Sequence, residues 1–200
     1  QDRLSDSEAV ACVTTPALKS RIPRQALPAL KRLILVGAEG KLAADEIGYE
    51  QAMAAAGEEL EPEWLSVDDG LIIHYTSGST GKSKGALHRQ YAMVGHYQTA
   101  KWALDLRDDD VYWCTADPGW VTGTSYGIYG PWTLGVTSVV IGGRFDPERW
   151  YQTIQKYRVS MWYSAPTAYR MLMSAGEAVP RTYDLSSLRH ICSVGEPLNP

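Results

Sequence analysis

The segment Tyr75–Gly85, YTSGSTGKSKG, concentrates the residue types that hold a polyanion. Its eleven residues carry three glycines, five serine or threonine hydroxyls and two lysines. Glycine has no Cβ to block positive φ, so backbone N–H groups at Gly78, Gly81 and Gly85 can converge on one oxyanion. The hydroxyls of Thr76, Ser77, Ser79 and Thr80 can donate to phosphate oxygens, and Lys82 or Lys84 supplies positive charge. Many short donors, a pliant backbone and mobile cations suit a triphosphate. The Walker A pattern needs Gly, four residues, then Gly-Lys-Ser/Thr. Gly81-Lys82-Ser83 matches its tail, but Thr76 stands where the leading glycine belongs, and ALHRQ after Gly85 does not open a helix at once. A P-loop NTPase is therefore disfavoured. A plain Ser/Gly surface turn accounts poorly for two lysines among five hydroxyls after an apolar strand.

Little else offers chemistry by spacing alone. Cys12, Cys114 and Cys192 are odd in number, far apart and free of any CxxC pair, so neither a disulfide framework nor a zinc site is expected. Cys114 and Cys192 fall in expected buried strands and read as packing residues. A reducing, cytoplasmic setting is the natural expectation. His74, His88, His96 and His190 show no HxxxH spacing; His88, close to the loop, either orients it or is structural. Asp117 reads as a turn former before Pro118, and Asp108–Asp110 as a solvated turn. No carboxylate pair and no Ser-His-Asp arrangement can be defended. The twelve tyrosines and seven tryptophans, against one phenylalanine, favour rings with a polar handle where an apolar wall meets a ligand.

The elements that would position the loop follow from apolar runs and their breakers. Strands are expected at Val10–Thr15, Leu33–Val36, Leu71–Tyr75, Val111–Cys114, Thr137–Ile141, Val159–Tyr163 and His190–Val194. Helices are expected over Glu46–Ala56, Gln90–Leu104, Trp120–Leu134, Pro147–Tyr157 and Thr167–Ala175. Residues 57–70, acidic and holding Pro62, read as a solvated connection. Strands alternating with helices predict an α/β fold, a mostly parallel sheet flanked by helices.

Composition removes several classes. Nineteen basic against 23 acidic residues give a net charge of −4, which argues against nucleic acid as partner. No run of about 18 uncharged apolar residues is present, so no membrane-spanning helix is expected. The N-terminus, QDRLSDSEAV, has neither the basic nor the apolar region of a signal peptide. The chain opens in a polar stretch like the tail of a helix and closes at SVGEPLNP directly after an expected strand. An internal piece of a longer protein is the expectation.

The loop resembles the phosphate-loop signature of adenylate-forming enzymes: acyl-CoA synthetases, the adenylation domains of peptide synthetases, and luciferases. VYWCTADPGWVTGTSYGIYGP (Val111–Pro131), WYSAPTAYRML (Trp162–Leu172) and LRHICSVGEPLNP (Leu188–Pro200) are similar to segments of the acetyl-CoA synthetases within that superfamily, in the same order. The resemblance covers nearly the whole chain and is strong from Asp69 on. It implies a partial N-terminal adenylation domain over residues 1–200 that lacks the family's C-terminal domain. It implies ATP, Mg²⁺ and coenzyme A, with acetate activated as acetyl-adenylate and passed to coenzyme A. By the same resemblance, Thr76–Gly85 would hold the β- and γ-phosphates. Trp120, Val121, Thr122, Ala165 and Val194 would line the acyl pocket and the coenzyme A path, and Gly195, Glu196 and Pro197 the adenine ring. Ser83 stands where the family's loop usually has proline. The family's Thr-Glu metal motif, ribose-binding Asp, hinge and catalytic Lys all fall beyond Pro200, so the isolated 200 residues are expected to be inactive. Another acyl- or aryl-CoA synthetase, or a non-catalytic nucleotide-binding remnant, are the alternatives.

Overall fold

The computed structural model describes residues 2–76 and 81–198. The chain divides into two compact units, Gln1–Gln90 and Tyr91–Pro200.

The first unit begins with α1 (Asp2–Asp6), β1 (Ala11–Thr14), α2 (Pro16–Lys19), β2 (Arg32–Leu35), β3 (Glu46–Gly48) and α3 (Tyr49–Ala55). The three strands form a parallel sheet in the order β1-β2-β3. Leu33 and Leu35 alternate inward from β2 and pack with Leu27 and Leu30. The helix expected over Glu46–Ala56 starts late. Ile47 pairs with Ile34 in the sheet, and the Glu46 carboxylate accepts from the Ala43 N–H at 3.1 Å and pairs with Lys19. Those bonds hold the first three residues extended, and the helix begins only after Gly48. Residues 57–69 form no helix or strand, as the acidic composition predicts.

The same unit ends in an antiparallel hairpin, β4 (Gly70–Thr76) with β5 (Lys84–Arg89). The second arm is a difference from the sequence reading, which took residues 76–85 as one loop. Thr76 pairs with Lys84 and Tyr75 with Gly85, so Thr76, Lys84 and Gly85 lie in the sheet, and the true connection is shorter.

The second unit contains α4 (Ala92–Trp102), β6 (Val111–Cys114), α5 (Val121–Thr124), a π-helical turn (Ser125–Tyr129), α6 (Gly130–Leu134), β7 (Thr137–Val139), α7 (Pro147–Tyr157), β8 (Met161–Ser164), α8 (Pro166–Ser174) and β9 (His190–Ser193). The strands form an all-parallel sheet in the order β7-β6-β8-β9. Side-chain alternation gives the sheet two apolar faces. Tyr112, Met161 and Tyr163 face a core with Ala100, Leu104 and Leu106. Trp113 and Trp162 face the other side, with Tyr151 and Ile154 of α7 and Leu172 of α8. Helices therefore cover both faces, the α/β arrangement expected. The Asp146 carboxylate caps α7 by accepting the Arg149 N–H at 2.7 Å, with Pro147 in the first turn.

The N-terminal ends of three neighbouring strands are fastened by an ionic cluster that sequence reading missed. Asp110, Ser160 and Arg189 each immediately precede a strand, β6, β8 and β9. Asp110 is 3% exposed. It accepts from Ser160 Oγ at 2.6 Å, from Arg189 Nε at 2.9 Å and from the Arg107 N–H at 2.9 Å, and its second oxygen pairs with Arg189 Nη2. Asp105 pairs with the same guanidinium at 2.8 Å. Asp110 is thus no solvated turn residue. Burial alone would raise its carboxyl, but the hydrogen bonds from Arg189, Ser160 and the Arg107 N–H, with the Arg189 charge, outweigh that and hold it below the ordinary value.

Candidate functional site

In open parallel sheets, ligands bind outside the carboxyl ends of the strands, where the strand order reverses. Here the chain runs from β6 to β7 on one side, then crosses to β8 and β9 on the other. The reversal lies at β6 and β8. At their carboxyl ends the hydroxyls of Thr115 and Ser164 are hydrogen-bonded to each other, and the Thr115 N–H donates to Tyr163 O at 3.0 Å. The sequence-predicted residues of this unit all follow carboxyl ends: Trp120–Thr122 after β6, Ala165 after β8, and Val194–Pro197 after β9. A cavity of about 500 Å³ opens at the carboxyl ends of β6 and β7, lined among others by Thr115, Asp117, Pro118 and Arg144.

Trp120 is held by a tight turn. Asp117 Oδ1 accepts the Gly119 N–H at 2.7 Å, and Asp117 O accepts the Trp120 N–H at 2.9 Å. This is the turn role expected of Asp117. Thr124 Oγ1 then reaches back to Pro118 O at 2.7 Å. The helix can approach so closely because residue 123 is glycine: a Cβ there would stand 2.0 Å from Asp117 O. Trp120 itself is 74% exposed, so it is no core aromatic. Val121 is exposed and Thr122 half-buried. Val194 packs against the core of Tyr112, Met161 and Tyr163, beside Cys114, Cys192 and Tyr126. Its N–H donates to Ser164 O at 3.1 Å and extends the ladder past β9.

Beyond Val194 the chain turns at Gly195, whose φ of +96° lies in the left-handed region that glycine adopts without strain. A Cβ at Gly195 would meet nothing within 4 Å, so the face beside it is open. Glu196 swings back to α8, where Thr167 Oγ1 donates to it at 2.6 Å and Arg170 Nη2 at 2.8 Å. Those bonds, Thr167 first, hold its carboxyl below the usual value. Sequence reading missed Thr167 and Arg170 as partners. Their spacing of three residues puts them on one helix face, but nothing local pointed to a carboxylate more than twenty residues on.

Burial shifts several of the phenols and thiols. Burial pushes the Tyr163 hydroxyl up to about 12, and raises Tyr112 and Tyr169 as well. Burial likewise raises the thiols of Cys12, Cys114 and Cys192, which fits packing rather than nucleophilic roles. What this edge offers is shape, apolar wall and fixed charge.

In the first unit, the described ends of the expected phosphate loop belong to the arms of the β4–β5 hairpin. Ser77, Gly78, Ser79 and Thr80 lie outside the described residues. Gly81 has a φ of +82°, and Lys82 and Lys84 are exposed. Neither ammonium pairs with a carboxylate among the described residues. At Gly85 the need is cross-strand packing: a Cβ would meet Ile73 Cγ2 at 2.8 Å and the Tyr75 ring at 3.1 Å. The Tyr75 hydroxyl donates to Asp6 Oδ2 at 2.7 Å, tying the hairpin to α1. Half-buried His88 packs edge-on to the buried His74, ring centroids 5.0 Å apart. Burial, then the neighbouring His88 charge, lowers the His74 pKa.

A metal is implied by the resemblance, but the described residues do not fit one: no group of three His, Cys, Asp or Glu side chains among them is arranged to hold an ion. No helix among them is long and apolar enough to cross a membrane.

A parallel α/β sheet with its predicted ligand residues following the carboxyl ends of the strands is the arrangement of an open-sheet, nucleotide-binding class of protein. The chain belongs to the AMP-binding enzyme family, whose model matches residues 1–200. It is 56% identical over 200 residues to the acetyl-coenzyme A synthetase of Bacillus subtilis, covering 100% of this chain and 35% of that protein. To the acetyl-coenzyme A synthetase of Methanothrix thermoacetophila it is 42% identical over 219 aligned positions, covering 33% of that protein. Among solved structures, the Brucella canis acyl-CoA synthetase superposes with a TM-score of 0.87 at 34% identity, over 98% of this chain and 36% of that one. The anthranilate CoA ligase AuaEII, solved with anthranoyl-AMP, superposes with a TM-score of 0.82 at 25% identity, over 98% and 38%. The chain spans about a third of the length of the curated relatives it matches.

Proposed function

We propose that this chain is part of the large N-terminal domain of an AMP-forming acetate–CoA ligase of the cytoplasm. The observation that carries the reading is the 56% identity to an acetyl-coenzyme A synthetase, sustained over all 200 residues. In the proposed reaction a carboxylate oxygen of acetate attacks the α-phosphorus of ATP. The bond from that phosphorus to the bridging oxygen breaks, and pyrophosphate leaves. The coenzyme A thiol, giving up its proton, then attacks the acyl carbon of acetyl-adenylate, and AMP leaves.

This chain's residues would contribute binding and orientation. The hydroxyls and N–H groups of Thr76–Gly85, with Lys82 and Lys84, neutralise the β- and γ-phosphates and the departing pyrophosphate. The open face at Gly195, with Glu196 and Pro197, takes the adenine ring. Trp120, Val121, Thr122 and Val194 wall the acyl group, and Ala165 borders the coenzyme A path, so the reacting atoms are brought in line. Mg²⁺ is expected to accompany the ATP, as the family resemblance implies.

The test is product analysis on the full-length protein. AMP and pyrophosphate release that depends on acetate, and acetyl-CoA formation that depends on coenzyme A, are expected. ADP and free phosphate as products would sink the reading. A panel of acetate, propionate, medium-chain and aryl acids separates acetate from the other acids of the superfamily.

A further inference from the structure

We propose that Thr167 and Arg170 are positioning residues for the nucleotide: by gripping Glu196 they set the Gly195–Pro197 segment against the adenine base. This rests on the reading of that segment as the adenine site. Both carboxylate oxygens are engaged, Oε1 by Thr167 Oγ1 at 2.6 Å and Oε2 by Arg170 Nη2 at 2.8 Å. Two charge-assisted bonds from different donors fix the plane of a carboxylate as well as neutralising it. The segment has little else to hold it. Past Val194, no backbone–backbone hydrogen bond among the described residues involves Gly195–Leu198, and the Thr167 N–H adds to the hold on the Glu196 carboxylate. Gly195 adopts its left-handed φ without strain, and a Cβ there would meet nothing within 4 Å.

The helix that does the gripping is itself rigidly placed. It starts at Pro166, directly after β8, with Ala165 as its N-cap. Its Tyr169 hydroxyl donates to Cys192 O at 2.7 Å, fixing the carboxyl end of β9 to the same helix. Thr167, Tyr169 and Arg170 therefore fasten one stretch of chain, from Cys192 to Glu196, to one helix. The residue proposed to border the coenzyme A path caps that helix, so base and thiol sides share one support. The Arg170–Glu196 pair is half exposed, 47% and 44% for the two side chains. Exposed pairs add little to stability. Loss of this one should therefore appear in nucleotide recognition rather than in melting.

The experiment is steady-state kinetics on the full-length enzyme with Thr167→Val, Arg170→Met, Arg170→Lys and Glu196→Gln. For Arg170→Met and Glu196→Gln, the KM for ATP is expected to rise about tenfold, with kcat within about threefold and KM for acetate unchanged. The preference for ATP over GTP should fall by the same factor. Arg170→Lys should recover part of the loss, and Arg170→Met combined with Glu196→Gln should add nothing to either alone. The near-isosteric Thr167→Val serves if Arg170→Met fails to fold. An ATP/GTP preference within about twofold of wild type in these variants overturns the proposal, as does an equal loss for ATP, acetate and coenzyme A with a lowered melting temperature. If the wild-type enzyme itself does not prefer ATP to GTP, the adenine reading of Gly195–Pro197 is what fails, and the proposal falls with it.

Discussion

Alanine at Gly123 pits two effects of known size against each other. Within the run from α5 to α6, replacing glycine by alanine normally stabilises a helix by about 1 kcal/mol. In this fold the new Cβ would stand 2.0 Å from Asp117 O, 2.4 Å from Asp117 C and 2.8 Å from Pro118 N. All three are backbone atoms, so no side chain can rotate away to relieve the overlap. Overpacking costs about 1–3 kcal/mol when a core can yield, and here the main chain must shift, so the upper end applies. The net expectation for Gly123→Ala is a loss of about 2 kcal/mol, opposite in sign to helix propensity. The displaced backbone is the turn that presents Trp120. In the full-length protein, the melting temperature should drop, and amide exchange should quicken at Trp120 and Thr124, whose N–H groups bond to Asp117 O and Trp120 O. KM for the acid substrate should rise. Gly95→Ala in α4 is the control, since a Cβ there meets nothing within 4 Å and φ is not positive. It should stabilise by about 0.5–1 kcal/mol. A Gly123→Ala protein that melts at or above the wild type, with unchanged exchange, would refute the reasoning.

Other consequences follow from the same geometry. Removing the Arg189 guanidinium, in Arg189→Met, leaves Asp110 buried without its main partner and should cost about 3–5 kcal/mol, read as a large drop in melting temperature. The Asp110 pKa is lowered on folding, so its contribution is complete above the unfolded value of about 4 and is lost as pH falls through the lower folded value. Asp110→Asn should accordingly melt lower at neutral pH and lose less on acidification than wild type; parallel pH profiles would count against the assignment. Lys82→Ala and Lys84→Ala should each lower kcat/KM for ATP by about ten- to a hundredfold in a pyrophosphate-release assay, and unchanged values in both would remove the lysines from phosphate binding. The raised thiols of Cys114 and Cys192 predict slow iodoacetamide labelling at pH 7 until the protein is denatured; labelling at the rate of a free peptide thiol would contradict their burial.

Sequence periodicity located most strands and helices of the second unit because their signals are local. The apolar runs VYWC and VSMWY, and the Pro147 helix start, need no distant partner to be read. Misses occurred where a distant partner decides. Glu46–Gly48 leads into an Ala- and Met-rich helical stretch, but pairing with β2 draws it into the sheet. Lys84–Arg89 carries no apolar run, and it is extended only because β4 lies opposite. Asp110 looked like one more charge in an acidic turn, since its partner Arg189 stands 79 residues away. The candidate site was legible where residue types crowd into one stretch, as at Tyr75–Gly85. The grip of α8 on Glu196 was not, because a salt link between helix and loop leaves no periodic trace.

The two ends of the parallel sheet are chemically different, and the difference bears on how the protein can be altered. At the amino end, residues immediately before β6, β8 and β9 lock together through a buried carboxylate and a guanidinium. Such a cluster holds three strands in register whatever the opposite edge does. At the carboxyl end the corresponding residues are Thr115, Ala165 and Val194, small or apolar, and the strand ends are joined by the Thr115–Ser164 hydroxyl pair and two backbone bonds, Thr115 N–H to Tyr163 O and Val194 N–H to Ser164 O. They impose little charge of their own and open into turns set by Asp117, Gly195 and Glu196. A weakly bonded carboxyl edge can bear side-chain changes that reshape a pocket, because the strand order is secured at the amino end. Substitutions at Asp110, Ser160 or Arg189 should therefore move stability with substrate preference intact, and substitutions at the exposed Trp120 should do the reverse. A single variant of the first group that altered acid preference without lowering the melting temperature would break that division.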